Sequence, residues 1–333
     1  MQPQILQTML TPSRVIAAGV ATDQVDLVVN PISHILFTLR AVNAVAAGAA
    51  YTALSEMLAK ITNINVKYRG ASIFNGTLAD MLVLNMLRKM NAWGSSQLSN
   101  VNADIRTLTI PLSFGRALYN PDECFPATRR GDLILQWTSA ADGANITTFT
   151  AEISTVELLD ATPKRFVKTV QTQQAMAGVG LNDINLPVGN KILGVLMKPF
   201  TFPTGAALTS SFGKTTLRVD GVEMGYVAIG WNTMHGALSR RIPPWWTDVE
   251  HIHGFVDAAA GQVNTQQGTR IFTLPRQYGY LELDPNDDTT YALDTRGAAL
   301  IQLREDSDVA DAANLSSVYP IELVELAQGA IGG

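Results

Sequence analysis

The segment Arg106-Thr107-Leu108-Thr109-Ile110-Pro111 returns as Arg270-Ile271-Phe272-Thr273-Leu274-Pro275, and the likeness runs on to Phe114-Gly115 and Tyr278-Gly279 at a constant offset of 164. Five further pairs keep the same order. Thr11-Pro12-Ser13-Arg14-Val15-Ile16 answers to Thr162-Pro163-Lys164-Arg165-Phe166-Val167, and Ile35-Leu36 with Leu39 to Ile192-Leu193 with Leu196. Asn65-Val66-Lys67-Tyr68-Arg69-Gly70 lies opposite Thr216-Leu217-Arg218-Val219-Asp220-Gly221, each ending at a glycine. Thr128-Arg129 and Thr295-Arg296 each lead into an apolar strand with a glutamine, Gln136 or Gln302. Ile153 to Leu158 and Ile321 to Leu326 both end in Val-Glu-Leu. Short apolar strings recur by chance, but six in one order at offsets near half the chain point to a duplication.

Two copies are too few for a solenoid, so two similar globular domains are expected, with the seam near Asp160 to Pro163. The first is read over residues 11–160 and the second over 161–326. Residues 1–10 are read as an N-terminal arm and 327–333 as a Gly-rich tail, both free to reach neighbours.

Local patterns are mostly those of strands. Ile64, Val66 and Tyr68 alternate with Asn63, Asn65, Lys67 and Arg69, as a half-buried strand requires. Lys214 to Asp220 alternates likewise, Leu133, Leu135 and Trp137 share one face, and Leu281 and Leu283 flank Glu282. Short strands between Gly, Pro, Asn and Asp clusters predict a sandwich or barrel in each half. Pro111 and Pro275 are placed at strand ends, where a missing N–H is tolerated. Two helices are expected in the first half, Ala44 to Lys60 and Thr77 to Asn91. The second opens on Thr77 with Asp80 three residues on, a variant capping box. Its apolar positions cover more than one side, which implies burial all round.

Composition narrows the function. Of 333 residues only 16 % are charged, where about 25 % is usual, while 47 % are hydrophobic. The formal net charge of −5 provides no broad basic field for phosphates, so direct nucleic-acid binding is not expected. Cys124 is the one cysteine, which excludes an intrachain disulfide and a thiolate-rich metal site. Met1 to Leu10 carries no Lys or Arg, unlike a secretory signal, and the Ala-rich stretch Ala41 to Ala59 is broken by Asn43, Gly48, Ser55 and Glu56. A cytoplasmic product is expected.

Candidate chemistry is sparse. His251-Ile252-His253, with Asp257 nearby, resembles the His-x-His of cupins, but no later histidine completes that ligand set. Cys124 follows Asp122 and Glu123, which raise a thiol pKa and weaken its nucleophilicity. No nucleophile elbow and no phosphate-cradling loop is present. Asp306, Asp308 and Asp311 lack the glycine and terminal glutamate of a calcium loop. No catalytic, cofactor-binding or metal-ligating residue is therefore assigned. Arg240-Arg241-Ile242-Pro243-Pro244-Trp245-Trp246 differs in kind. Its prolines stiffen a loop bearing two tryptophans, and Trp and Arg are the residues most enriched at interface hot spots. Arg240, Arg241, Trp245 and Trp246 are read as subunit-interface candidates, with a barrel-closing role for the tryptophans as the rival.

The chain resembles the double jelly-roll major capsid proteins of adenoviruses, large DNA viruses and tailless lipid-containing bacteriophages. The resemblance rests on Ile110-Pro111-Leu112-Ser113-Phe114-Gly115-Arg116, then Pro126 and Leu133-Ile134-Leu135-Gln136, on a duplicated β chain. Phe125-Pro126-Ala127 and Arg129-Arg130 stand where the family has a Leu-Pro-Leu stretch. Size points to the small bacteriophage members, such as the lipid-containing phage of Flavobacterium. The resemblance implies a mainly β fold of two tandem eight-stranded jelly rolls with a few short helices. It further implies a structural, non-catalytic major capsid protein without cofactors, forming pseudo-hexagonal homotrimers that tile an icosahedral virion shell. The implied partners are other copies, minor capsid and vertex proteins, and an internal virion membrane. Sparse charge agrees, since obligate interfaces are depleted of charge. The rival functions are a duplicated, bicupin-like metalloenzyme and a carbohydrate-binding or carbohydrate-hydrolysing protein using Trp245 and Trp246 as a stacking platform.

Overall fold

A computed structural model describes residues 4–43, 54–88, 94–96, 103, 105–142, 146–203, 207–242, 255–257, 262–264 and 277–326. The chain divides into two compact units, Met1–Val167 with Asp248–Arg270 and Leu326–Gly333, and Lys168–Thr247 with Ile271–Glu325.

The first unit holds β1 (Gln4–Ile16), β2 (Ala21–Asp26), β3 (Ile32–Asn43), α1 (Leu54–Ala59), β4 (Ile61–Tyr68) and β5 (Ala71–Gly76). Then follow α2 (Leu78–Leu87), β6 (Gly94–Ser96), β7 (Ile105–Ser113), β8 (Leu133–Ser139) and β9 (Ile146–Leu159). Its strands form neighbours β1-β9-β3-β7-β6 in one sheet and β5-β4-β8-β2 in the other. Leaving out the short β6, that is the order first-eighth-third-sixth and fifth-fourth-seventh-second, which defines a jelly roll. Between the sheets lie Ile35, Phe37, Leu39, Ile110, Leu135, Trp137 and Phe149, all buried. Phe37 and Trp137 meet edge to face at 5.8 Å.

The second half begins with β10 (Arg165–Val170), β11 (Thr172–Met176), β12 (Gly180–Leu186), β13 (Lys191–Lys198), β14 (Lys214–Val219), β15 (Val222–Glu223) and β16 (Ile229–Gly230). It continues along the chain with α3 (Trp231–Arg241), then β17 (Phe255–Asp257) and β18 (Gln262–Asn264), which fall within the first unit, then β19 (Gly279–Glu282), β20 (Leu293–Asp294), β21 (Ile301–Ser307) and β22 (Asp311–Glu325). The neighbours are β19-β13-β22-β10, with β11 also on β22, and β12-β21-β14-β15. Leaving out the short β16, β17, β18 and β20, and with β10 and β11 counted as one interrupted strand, this is the same jelly-roll order as in the first unit. Its core includes Met176, Ile184, Val195, Met197, Phe212, Leu217 and Leu303.

The copies agree in local detail as well. Arg69 and Gly70 (φ 49° and 84°) turn the β4–β5 hairpin, and Asp220 and Gly221 (φ 49° and 85°) turn β14–β15. Two positive φ values define the type I′ turn that suits strand twist. A bulge sits between Ile32 and His34 opposite Glu157 and Val156, and again between Ile192 and Gly194 opposite Glu322 and Ile321.

Several expectations need correction. Residues 4–10 are not a free arm but the first half of β1, paired with β9 from Gln4–Leu159 onward. Pro111 lies inside β7, paired with Leu36. Its carbonyl accepts from Asn85 Nδ2 at 2.9 Å, so the side lacking a donor faces α2 rather than β3. The hairpin pairing of Arg69-Gly70 with Asp220-Gly221 is structural, but other recurring strings are out of register. The shared bulge aligns Ile32, not Ile35, with Ile192. Tyr280 pairs with Leu196 as Pro111 pairs with Leu36, which sets Tyr278-Gly279 against Thr109-Ile110 rather than Phe114-Gly115. Thr11 to Ile16 closes β1, whereas Thr162 to Val167 leads into β10. Arg270 to Pro275 and the tail 327–333 lie outside the described residues.

Of the expected helix Ala44 to Lys60, the described part is α1. The α2 capping box is present: Thr77 Oγ1 accepts from Asp80 N at 3.2 Å, and Asp80 Oδ2 accepts from Thr77 N at 2.8 Å. All its residues but Ala79 are buried, which explains apolar side chains around its whole circumference. α3 was not expected. Asn232, Thr233, His235 and Gly236 are poor helix formers. Trp231, Met234 and Leu238, spaced three and four apart, supply one buried face that holds it.

Candidate functional site

Arg240 and Arg241 end α3 instead of lying in a proline-stiffened loop. Arg241 is only 9 % exposed; its Nε donates to Glu282, Nη1 to Asp287 Oδ1 at 2.9 Å and Nη2 to the Asp284 carbonyl at 2.7 Å. Burial alone would lower its pKa, but the hydrogen bonds to Asp287 and Glu282 outweigh this and hold the guanidinium firmly charged. Arg241 therefore ties α3 to β19. Arg240 is 69 % exposed and shares Glu282, leaving most of its side chain on the surface. Trp245 and Trp246 lie outside the described residues.

The groups weighed for catalysis or metal binding are placed as follows. Cys124 is buried, and its thiol is pushed up to about 12, first by burial and then by Asp122, so the larger cause is burial and not the adjacent carboxylates. His34 is buried on β3, and loss of hydration lowers it to about 4. Its Nδ1 faces Ser33 Oγ at 3.0 Å, and that oxygen also accepts from Tyr119 N at 2.8 Å. Asp311 accepts from Ser211 Oγ, and Asp308 from the adjacent Ser210 N. His251 and His253 lie outside the described residues. Among the described residues no three His, Cys, Asp or Glu side chains are arranged to hold a metal.

A different surface stands out on the first jelly roll. Among the described residues β1 occupies the edge of its sheet, and from Gln4 to Ser13 it carries no charge. Ile5 (62 % exposed), Met9 (55 %) and Val15 (68 %) stand out from it. Arg14, its one charged residue, is turned back onto Asp23 Oδ1 at 2.5 Å and over the Trp137 ring at 5.4 Å. Edge strands in solvated proteins are blunted by charge, proline or bulges; this one has Pro12 and bulges on either side of Thr11, but no charge from Gln4 to Ser13. On the outer face beside it Val15, Thr150, Arg40 and Thr107 form one cross-strand row, with Arg40 its one charged residue, and Thr38 Oγ1 meets Thr109 Oγ1 at 2.9 Å.

On the second jelly roll the outer face of β12-β21-β14 is ionic. Arg304 Nε and Nη2 hold both Asp183 oxygens, at 2.8 and 2.9 Å. Reading residues 1–10 as an arm hides the β1 edge. The legible signal was Ile5, Leu6 and Met9 in a run without charge.

No family model and no curated protein sequence matches the chain. Its structure is similar to that of the major capsid protein P2 from Bacteriophage PM2. That match has a TM-score of 0.57 and 11 % identity and covers 97 % of this chain and 99 % of that one. It is similar also to the STIV MCP of Sulfolobus Turreted Icosahedral Virus, with a TM-score of 0.63 and 12 % identity over 99 % and 100 % of the two chains. A third likeness is to the PBCV-1 virus capsid, with a TM-score of 0.56 and 10 % identity over 97 % and 94 %. The fold is that of the double jelly-roll major capsid proteins.

Proposed function

We propose that this chain is a major capsid protein whose copies associate into pseudo-hexagonal homotrimers and tile an icosahedral virion shell. The observation that carries this reading is end-to-end structural likeness, since the match spans nearly all of both chains in the PM2 and STIV comparisons. Fold alone does not dictate function, so a second feature matters. The uncharged, apolar β1 edge is a surface built for burial, as the cores of obligate interfaces are. Sparse charge over the whole sequence fits the same purpose.

Such a protein is structural and without catalysis of its own. Its partners are other copies, minor capsid and vertex proteins, and, in a lipid-containing particle, an underlying membrane. Electron microscopy of the purified chain tests the reading. Flat or closed arrays of hexagonal capsomers support it. Dispersed single chains at high concentration, or metal-dependent turnover lost on replacing His251 and His253, would overturn it in favour of the metalloenzyme.

A further inference from the structure

The two jelly rolls place different chemistry at one matching core position. In the first, Tyr68 pairs with Leu133 and, four residues on, Ile64 with Trp137. In the second, Val219 pairs with Ile301 and, four residues on, Thr215 with Glu305. All four side chains at the inner position are buried, so a Thr–Glu pair replaces an Ile–Trp pair. Thr215 Oγ1 donates to Glu305 Oε2 at 2.6 Å, and Glu305 Oε1 has no hydrogen-bond partner among the described residues.

Among the described residues, no cation is paired with Glu305. On β12 the residue across from Glu305 is Asn182, whose amide donates to the Gly178 and Gly180 carbonyls. The core offers Met176, Val195, Met197, Phe212, Trp231 and Val318 from β11, β13, the β14 approach, α3 and β22. Tyr280 and Tyr319 each adjoin a core residue, Leu281 and Val318, and so point to the other face of their sheet. Tyr278 lies beneath Lys198, whose Nζ is 5.4 Å from its ring centroid. Arg304 and Asp306 alternate outward on β21, and Lys214 pairs with Asp306. Arg241, Asp284 and Glu322 are engaged by Glu282 and Asp287, by Thr289 N, and by Lys168 and Asn190. Asp308 and Asp311 serve Ser210 and Ser211.

The geometry points to a proton-operated latch in the second jelly roll: protonated, Glu305 is an uncharged part of the core, and once its proton passes to solvent the stranded carboxylate favours opening of β21 from β14. Burial pushes this carboxyl from 4.5 up to about 8, with the Thr215 bond offsetting part of the rise. A raised acid binds its proton more tightly in the closed state than in the open one. Opening therefore becomes easier by about tenfold per pH unit from about pH 4.5 to about pH 8 and then levels off.

Amide hydrogen exchange of the dispersed full-length chain, corrected for the intrinsic pH dependence of exchange, tests this. Protection of β14 and β21 is expected to fall about tenfold per pH unit between about pH 5 and pH 8 while β4 and β8 hold steady. Glu305→Gln should flatten the fall. Should that variant not fold, Thr215→Val serves instead: without its donor the closed-state acid rises further, and the fall should extend to higher pH. Infrared spectra near neutral pH should show a protonated-carboxyl carbonyl band that the Gln variant lacks. An equal fall in β4 and β8, an unchanged fall in Glu305→Gln, or no fall at all overturns the latch.

Discussion

Asn30 Nδ2 donates to Glu157 Oε2 at 2.6 Å, and the bond recurs in the second jelly roll as Asn190 Nδ2 to Glu322 Oε2 at 2.7 Å. In both, the asparagine stands two residues before the isoleucine of the shared bulge, Ile32 or Ile192, and the glutamate is that isoleucine's strand partner. The bond ties the turn entering the third strand to the eighth strand. Both glutamates are buried, so each needs its partners. Glu322 also has Lys168 Nζ at 3.0 Å, whereas Glu157 is further supported by the hydroxyls of Thr8 and Thr155.

Asn30→Ala should therefore destabilise its jelly roll by about 1–3 kcal/mol, and Asn190→Ala by less, because a cation remains beside Glu322. Urea unfolding followed separately in the two halves by hydrogen exchange measures both. An equal or larger loss in Asn190→Ala would count against this account of the pair.

Acid should weaken the first jelly roll through Glu123. This carboxylate is 1 % exposed and is gripped by Arg116 and by Arg165 Nε, the latter at 2.7 Å. Burial would raise it, but the Arg116 hydrogen bond and the charges of Arg116 and Arg165 prevail and hold it below 4.5. A lowered acid contributes stability that is complete above its unfolded value and is lost as pH falls through its folded one. Melting temperature should drop as pH falls below about 4.5, and Glu123→Gln should be less stable near neutrality with a shallower acid slope. A variant with the parent's slope contradicts this.

Gly115 is required by close approach. A Cβ there would lie 2.2 Å from the Glu123 carbonyl oxygen, a backbone atom that cannot swing aside. Gly115→Ala should cost at least about 2 kcal/mol or abolish soluble expression. Gly19→Ala, with open space around it, should change stability by under about 0.5 kcal/mol. Thermal unfolding of the pair distinguishes a local clash from a general intolerance of alanine.

Charge placed on the β1 edge should act on association and not on folding. Met9→Lys sets a cation at a position that is 55 % exposed in the single chain, so its melting temperature should stay close to that of the parent at dilution. If β1 is covered in the assembly, the buried unpaired charge should shift association to higher concentration by at least about tenfold. Sedimentation of parent and variant provides the comparison, and unaltered association would remove β1 from the interface.

Much of the fold was legible because strand alternation and turn glycines leave local marks. Ile64, Val66 and Tyr68, the Arg69-Gly70 and Asp220-Gly221 turns, and the Thr77–Asp80 cap each depend on neighbours in sequence. Register was less legible. Apolar strings such as Ile35-Leu36 fit several alignments, and the bulge at Ser33 that fixes the true one leaves no residue signature. α3 was hidden because its stability comes from Trp231 and Met234 packing rather than from propensity. The β1 edge was hidden because the pairing of residues 4–10 with β9, more than 140 residues away, cannot be read from those residues themselves. Arg241 carried a visible interface signature, yet its carboxylate partners Glu282 and Asp287 come from a distant loop and strand.

Light scattering on the size-fractionated full-length chain tests the central claim most directly. The account predicts a species of three times 35.9 kDa that grows into larger assemblies as concentration rises. A single species of 35.9 kDa, unchanged across that concentration range, would contradict it.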